Sequence, residues 1–337
     1  MSRSLRTPIT EDQLAPLAPN ENVLQFSSLP SDDELRRIAA LLEPRPDVAL
    51  RVYGGYDGTI SDLEFLRFFP FLRRFSVDAL YNQLVSLDGL RHLPPTLQRL
   101  LIGATKKRMS LAPIARFADL ETLFVEGPHT DFEAISGLTR VEDLTLRSVT
   151  LPDLSILLPL TNLRKLDLKL GGTRDIRLLP RIGRLRYMEL WLIRGLHDVG
   201  PVAEIETLEH LFLQALKQVT QLPSFAKSTA LRRVDLMTMK GLTDLAPLAE
   251  APNLEILTLV EMRHLLPEAL RPFVGHPSLR AGIWGLGSSR KNFVAQDLLP
   301  LPPEPFGYAA ARRGEPEPHE PPPWYGPDWD GFRSANV

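Results

Sequence analysis

An apolar pattern, LxxLxL, returns about ten times along this chain and constrains the fold more than any other feature. The first apolar positions of the ten copies are Leu72, Leu97, Leu120, Val141, Leu163, Leu185, Leu208, Leu231, Leu254 and Leu279. Successive copies lie 21 to 25 residues apart, a period at which each repeat buries its apolar side against its neighbours. We therefore expect one elongated domain, although the length of 337 residues alone would suggest two or three globular domains.

Composition narrows the classes of protein to which such repeats can belong. With 39 basic and 41 acidic residues the formal net charge is −2, so no bulk charge favours phosphate backbones, and nucleic-acid partners are not expected. The absence of cysteine excludes disulfides, thiolate metal sites and cysteine nucleophiles. Because residues 1–20 contain no continuous apolar segment and no later stretch reaches membrane-spanning length, we predict a soluble cytoplasmic protein without a membrane partner.

The N-terminal part of the chain is predicted to be a lead-in followed by a cap. Residues 1–30 are polar and contain scattered prolines, which favours a flexible segment. Residues 31–71 open with a capping box at Ser31 and Glu34, and the helical spacing that follows predicts a helix over residues 32–43. An alternating strand comes after this helix. We expect this segment to cover the first repeat, whose leucines would otherwise lie in water.

Residues 72–284 are predicted to form the repeats themselves. In each copy the three apolar side chains point inward from a short parallel strand, and the residues between them point outward. Along the return path leucines recur every three residues, as at Leu242, Leu245 and Leu248. That spacing predicts 3₁₀ or short helical turns between the strands.

The chain changes character after the last repeat. Ser288 or Ser289 is a suitable cap for a helix, so we expect residues 285–300 to seal the C-terminal end of the repeats. Residues 301–337 are a proline-rich tail that cannot build a core of its own. Its late aromatic residues are Trp324, Tyr325, Trp329 and Phe332. The tail is expected either to act as a linear motif read by another protein or to cover an edge or face of the repeats.

These repeats resemble the leucine-rich repeat superfamily, in its short class of about 22 residues per repeat. The segment from Leu231 to Leu248 looks like internalin-type and cytosolic phosphatase-regulator-type repeats. The resemblance implies an α/β fold, a curved leucine-rich repeat solenoid with parallel strands on its concave face and 3₁₀ or short helical turns on its convex face. It also implies a protein partner bound to the concave face. One departure is that no regular column of asparagine or cysteine follows the strands, so we expect packing or other donors to replace it.

The outward positions of successive strands supply the candidate site. They form columns across the strands, and bulky residues gather in the sixth to eighth copies at Tyr187, Trp191, Phe212 and Met237. Aromatic anchors surrounded by charge are typical of protein-binding hot spots. The predicted partner-binding residues are Tyr187, Trp191, Phe212, Met237, Asp167, Glu189, Asp235 and Phe124.

A structural role competes with this interpretation. Bulky rings on a strand also pack along the sheet with their neighbours. The acidic residues either mark a basic partner or form ion pairs within the sheet, such as Asp167 with Lys165 and Lys169, or Asp235 with Arg233. Both alternatives agree with the sequence.

No motif for catalysis or metal binding accompanies the repeats. The seven histidines are dispersed without ligand spacing, and neither a nucleophile elbow nor a phosphate-binding loop is present. A row of basic residues at equivalent loop positions, including Lys217 and Lys240, is expected to be a solvated edge. We therefore predict a noncatalytic scaffold without cofactors that binds a protein partner. The alternative is an inhibitor or immunity-type protein that occludes an enzyme or toxin.

Overall fold

The protein divides into two compact units, each built from strands that follow one another in chain order. The computed structural model describes residues 1–54, 58–78 and 84–303. Unit 1 comprises Met1–Arg184 and Ile193–Gly195, and unit 2 comprises Leu185–Leu192 and the chain from Leu196 onward. Within the described ranges, no helix is long and apolar enough to cross a lipid bilayer.

Unit 1 contains a parallel sheet in which each strand pairs with the next one along the chain. Its strands are β1 (Ser2–Leu5), β2 (Val23–Phe26), β3 (Ala49–Tyr53), β4 (Arg74–Asp78), β5 (Arg99–Ile102), β6 (Thr122–Glu126), β7 (Asp143–Arg147) and β8 (Lys165–Lys169). The helix α1 (Asp32–Leu42) connects β2 to β3. The 3₁₀ turns are Asp12–Leu14, Glu64–Phe68, Asp88–His92, Ala112–Arg116, Phe132–Gly137, Ser155–Leu157 and Leu179–Arg181.

Unit 2 repeats the same construction with five parallel strands. They are β9 (Tyr187–Trp191), β10 (His210–Gln214), β11 (Arg233–Met237), β12 (Ile256–Val260) and β13 (Ala281–Trp284). The return paths and the C-terminal end contain α2 (Gly200–Ala203), α3 (Ala246–Ala249), the 3₁₀ segment Pro267–Phe273 and α4 (Ser289–Leu298). No helix interrupts the return from β10 to β11.

The LxxLxL pattern corresponds to these strands one for one. The ten copies predicted from the sequence are β4 to β13, and their inward side chains form the core of each unit. Leu166 in unit 1 and Leu211 and Leu257 in unit 2 are completely buried. The predicted fold class, with parallel strands and 3₁₀ or short helical returns, is confirmed.

Each strand from β7 to β12 is followed by one residue in the left-handed helical region. These residues have φ between 52° and 57°, and they are Ser148, Leu170, Leu192, Ala215, Thr238 and Glu261. Several of their backbone amides donate to the last carbonyl of the next strand, as Ala215 N does to Met237 O at 2.9 Å. None of the six is glycine, the residue that adopts this conformation most easily. The turn therefore has the same geometry in six repeats without glycine at this position.

The residue after each left-handed position replaces the asparagine column by packing, as expected. Val149, Ile193, Leu216 and Met239 are all buried at this position. Gly171 occupies the same place in another repeat, where an added Cβ would lie 1.9 Å from the carbonyl oxygen of Val149. Apolar packing therefore takes the place of the asparagine column there, and Met239 N also donates to Met262 Sδ of the next repeat at 3.3 Å.

A short polar side chain starts most of the return paths by accepting a hydrogen bond from the amide two residues later. Asp153 accepts from Ser155 N at 2.8 Å, and Asp244 accepts from Ala246 N at 2.9 Å. The same contact occurs at Asp62, Ser86, Ser110, Asp175, Asp198 and Ser224. Such Asx and ST turns satisfy amide donors at the start of a helical turn. They explain where the turn begins in most of the return paths.

The N-terminal prediction needs one correction. The expected flexible lead-in, residues 1–30, instead contributes β1 and β2 to the sheet of unit 1. Arg3 ties this segment together, because its guanidinium donates to Glu21 and to main-chain carbonyls before the second strand. The helix predicted over residues 32–43 is α1, and its capping box at Ser31 and Glu34 is formed.

The C-terminal end of the repeats is closed by α4 and by the segment that follows it. Ser288 caps α4 by accepting a hydrogen bond from Lys291 N. Gly282 N on β13 donates to Pro302 O at 3.0 Å, and Trp284 Nε1 donates to Leu299 O at 3.3 Å. The chain after α4 thus runs along the edge of β13. The predicted tail, residues 301–337, lies outside the described residues from position 304 onward.

Candidate functional site

The strand face turned away from the leucine core, here called the open face, carries the predicted site residues of unit 2. Its side chains stand in three rows across β9 to β13. The first row is Tyr187, His210, Arg233, Ile256 and Ala281. The second row is Glu189, Phe212, Asp235, Thr258 and Ile283. The third row is Trp191, Gln214, Met237 and Val260.

The first two rows hold a buried polar cluster, defined here as Tyr187, Glu189, His210, Arg233 and Asp235. Asp235 accepts from His210 Nε2 at 2.6 Å and from Arg233 Nε at 2.8 Å. The Tyr187 hydroxyl donates to Glu189 Oε2 at 3.2 Å. The Tyr187 and His210 rings meet edge to face with centroids 4.8 Å apart. Polar groups on three adjacent strands are therefore joined beneath the surface.

The charge on Asp235 is compensated within this cluster. Burial alone would raise the pKa of its carboxyl group, because the charged form loses water. The Arg233 guanidinium and the His210 hydrogen bond outweigh that effect and hold the pKa of Asp235 well below its usual range. Asp235 is therefore ionised at neutral pH, and its charge is directed at its own neighbours.

The residues toward the C-terminal ends of the strands form an apolar ridge, defined here as Trp191, Phe212, Met237 and Val260. All four side chains are half-buried, in contrast to the buried polar cluster beside them. Gln214 lies between Trp191 and Met237 in the sheet register, and Phe212 precedes it on the same strand. The ridge thus combines two large rings and two aliphatic chains on neighbouring strands.

Two predicted site residues, Phe124 and Asp167, lie in unit 1. Phe124 is half-buried on β6. Asp167 is buried on β8, where it accepts from Thr145 Oγ1 at 3.0 Å and lies 3.5 to 3.6 Å from the ammonium groups of Lys169 and Lys165. Burial would raise the pKa of Asp167, but the two lysines lower it overall. The predicted partner-binding residues are therefore divided between the open faces of the two units.

The acidic residues Asp167 and Asp235 were predicted either to mark a basic partner or to form ion pairs within the sheet, and the geometry matches the ion pairs. Asp167 and Asp235 form ion pairs with the residues that the sequence suggested, Lys165, Lys169 and Arg233. Tyr187 is also buried, at 4% exposure, which gives it a packing role beside the ridge. Val260 belongs to the ridge and was not selected from the sequence, although its column position identifies it.

Two solved structures share the architecture of this chain. An internalin, InlF, from Listeria monocytogenes strain 4b F2365 matches with a TM-score of 0.52 and 17% identity, over 77% of this chain and 74% of that chain. The structure of TLR13 in complex with ssRNA13 matches with a TM-score of 0.52 and 19% identity, over 82% of this chain and 41% of that chain. The chain has the leucine-rich repeat fold. At these identities the likeness concerns the leucine-rich repeats as a scaffold. A scan of family models and a search of curated proteins give no match.

Proposed function

We propose that this leucine-rich repeat protein is a noncatalytic scaffold that binds a protein partner through the open face of unit 2. The observation that carries the proposal is the apolar ridge of Trp191, Phe212, Met237 and Val260, which is half-buried on adjacent strands. Large rings with few rotatable bonds bury much area on binding at small entropic cost. Clusters of this kind supply most of the affinity at protein interfaces.

The buried polar cluster supports this role because it joins the strands that carry the ridge. His210 and Arg233 bond to the same carboxylate of Asp235 from two different strands. Because these contacts are already made in the isolated protein, little ordering is needed when a partner binds. The cluster is a positioning element in this proposal, and the ridge makes the contact.

The proposal is tested with the double variant Trp191→Ala and Phe212→Ala. We expect the double variant to bind the partner captured by the wild type at least 30-fold more weakly, which corresponds to about 2 kcal/mol. Affinity is measured by calorimetry once the captured partner has been purified. An unchanged set of captured proteins contradicts the assignment of this face.

A matched control separates the ridge from general exposed apolar surface. Phe293 on α4 is 70% exposed and lies outside the open face. Phe293→Ala is expected to leave partner capture unchanged. Circular dichroism of all variants shows whether a loss of binding reflects a loss of fold.

An inhibitor or immunity-type protein would use the same surface in a different way. If the captured partner is an enzyme or toxin, its activity should fall on addition of this protein in the same concentration range as binding. A partner that keeps full activity when bound supports the general scaffold.

Protein is proposed as the partner in preference to RNA, the ligand named for TLR13. Among the described residues in the three rows of the unit 2 face, Arg233 is the only lysine or arginine, and it is buried and paired with Asp235. The exposed Lys217 and Lys240 lie in the loops beyond these rows. RNA affinity depends on cations that reach phosphates and release counterions. We therefore expect no binding of single-stranded RNA at 50 mM salt, measured by fluorescence anisotropy.

A further inference from the structure

The open face of unit 2 and the C-terminal tail have complementary chemistry. We propose that the tail, residues 304–337, binds in cis to the open face of unit 2, where it occupies the apolar ridge and competes with the partner. The inference uses the face assigned in the proposed function, but it does not require that a partner exist. It makes the tail an internal regulator of that surface.

The last described residues of the chain lie at the edge of this face. Pro302 O accepts a hydrogen bond from Gly282 N on β13, so the residues just before the tail lie against the last strand of unit 2. The ridge begins one strand away at Val260 and extends to Trp191 on β9. Four strand spacings amount to about 19 Å.

The length of the tail fits this span. About 20 residues separate Pro303 from Trp324. A flexible chain of that length has a root-mean-square end-to-end distance of about 25 Å and an extended reach of about 65 Å. Tethering therefore presents the aromatic residues to the ridge at high effective concentration.

The apolar part of the tail matches the ridge. Four rings occur within nine residues, and they are Trp324, Tyr325, Trp329 and Phe332. The ridge offers the rings of Trp191 and Phe212 and the flexible side chain of Met237, which adapts to ring edges. Aromatic pairs contribute beyond the area that they bury.

The charge of the tail matches the border of the ridge. Residues 315–332 contain five acidic residues and no lysine or arginine, and the acidic ones are Glu315, Glu317, Glu320, Asp328 and Asp330. Lys217 and Lys240 follow the third-row residues Gln214 and Met237 by three positions, and both are exposed. Neither lysine forms an ion pair within the described part of the chain. An acidic segment laid along the ridge would bring its carboxylates to this row of cations.

The absence of cysteine makes a direct distance measurement possible. Ser334→Cys in the tail and Gln218→Cys beside Lys217 introduce two nitroxide labels into the full chain. We expect pulsed electron spin resonance to give a narrow distance distribution below about 30 Å, because a docked tail has few conformations. The variant with Trp324, Tyr325, Trp329 and Phe332 all replaced by alanine should give a broad distribution. Broad distributions in both proteins overturn the proposal.

Two further measurements define the contact. Met237→Glu places a negative charge on the ridge and should broaden the distribution, whereas Met237→Gln should preserve it more closely, with melting curves used to check folding. In a mixture of chains that each carry one label, we expect no short distances. Short distances there would show that the tail binds a second copy, which also overturns docking in cis.

Competition provides a readout that does not depend on labels. A synthetic peptide covering residues 315–333 should bind the four-alanine tail variant at least tenfold more tightly than it binds the wild type, because the wild-type face is occupied. Equal affinity contradicts the inference. If the tail docks but the Trp191→Ala and Phe212→Ala variant captures the same proteins as the wild type, only the proposed function is contradicted. If that variant loses its partner but the tail does not dock, only the tail inference is contradicted.

Discussion

The open faces of the two units differ, although the same leucine pattern builds the core of each. In unit 1 the face carries ion pairs between neighbouring strands, including Arg51 with Asp78, and Lys165 with Asp143 at 3.1 Å. In unit 2 a single buried cluster around Asp235 lies beside an apolar ridge. Because the inward positions are nearly interchangeable, the outward columns determine what each unit can bind.

The electrostatic balance also differs between the two faces. Burial raises the pKa of Asp143 in unit 1 even though Lys165 opposes that rise, and burial likewise raises the pKa of Glu126. In unit 2 the partners of Asp235 overcome burial and lower its pKa. Compensation is therefore uneven within unit 1, where the pKa of buried Asp167 is lowered while that of the half-buried Asp143 is raised. Removing the charge of Asp143 and removing that of Asp235 should have opposite effects on stability.

The largest expected effect is from Asp235→Asn. The substitution removes the anion that pairs with Arg233 and His210 in a buried site. We expect the free energy of unfolding to fall by about 3–5 kcal/mol. Urea denaturation followed by circular dichroism measures the change. A loss below about 1 kcal/mol would mean that the cluster does not hold the strands together.

The opposite sign is expected for Asp143→Asn in unit 1. The pKa of Asp143 is raised, so its ionised form disfavours the folded state once the pH exceeds the unfolded value of about 4. Lys165 keeps a second carboxylate, Asp167, at 3.6 Å after the substitution. We expect the variant to be up to about 1 kcal/mol more stable at pH 7.

The pH dependence separates this gain from a simple packing effect. The advantage of Asp143→Asn should shrink as the pH falls toward 4, because the wild-type carboxyl then becomes protonated in the folded state. The Asp235 contribution runs the other way: it is present above about pH 4 and is lost as the pH falls through its lowered folded pKa. Unfolding curves at several pH values measure both trends. A gain from Asp143→Asn that is constant with pH contradicts the electrostatic explanation.

The sequence predicted the strands and the outward columns because both depend on a strict spacing of leucines. The outward position between the last two leucines of each copy forms a column, as predicted, and the sheet register aligns it from Ser76 to Asp167 in unit 1 and from Glu189 to Ile283 in unit 2. The strands β1 and β2 were missed, since they lie outside the regular repeats and their order depends on Arg3 contacts across the turn between them.

Burial on the open face could not be predicted from spacing alone. Neighbouring strands are about 4.8 Å apart, so large outward side chains exclude water from one another. Tyr187 and Asp235 are buried for this reason, whereas Trp191 and Met237, toward the strand ends, are only half-buried. Which outward residue remains accessible depends on the size of its lateral neighbours, a property of the folded sheet.

The smallest expected effect concerns a feature that the two units share. Thr238 in unit 2 and Ser148 in unit 1 both adopt left-handed backbone, with φ of 55° and 56°. This region is unfavourable for residues with a Cβ and most unfavourable for β-branched ones. Replacing either residue with glycine should therefore stabilise the protein by about 0.5–1 kcal/mol, with the larger gain at Thr238. Thermal unfolding measures the shift. A gain in stability at both sites would show that the two units share the strained turn. A loss of stability at both sites would show that the Thr238 and Ser148 side chains make contacts that outweigh the backbone strain.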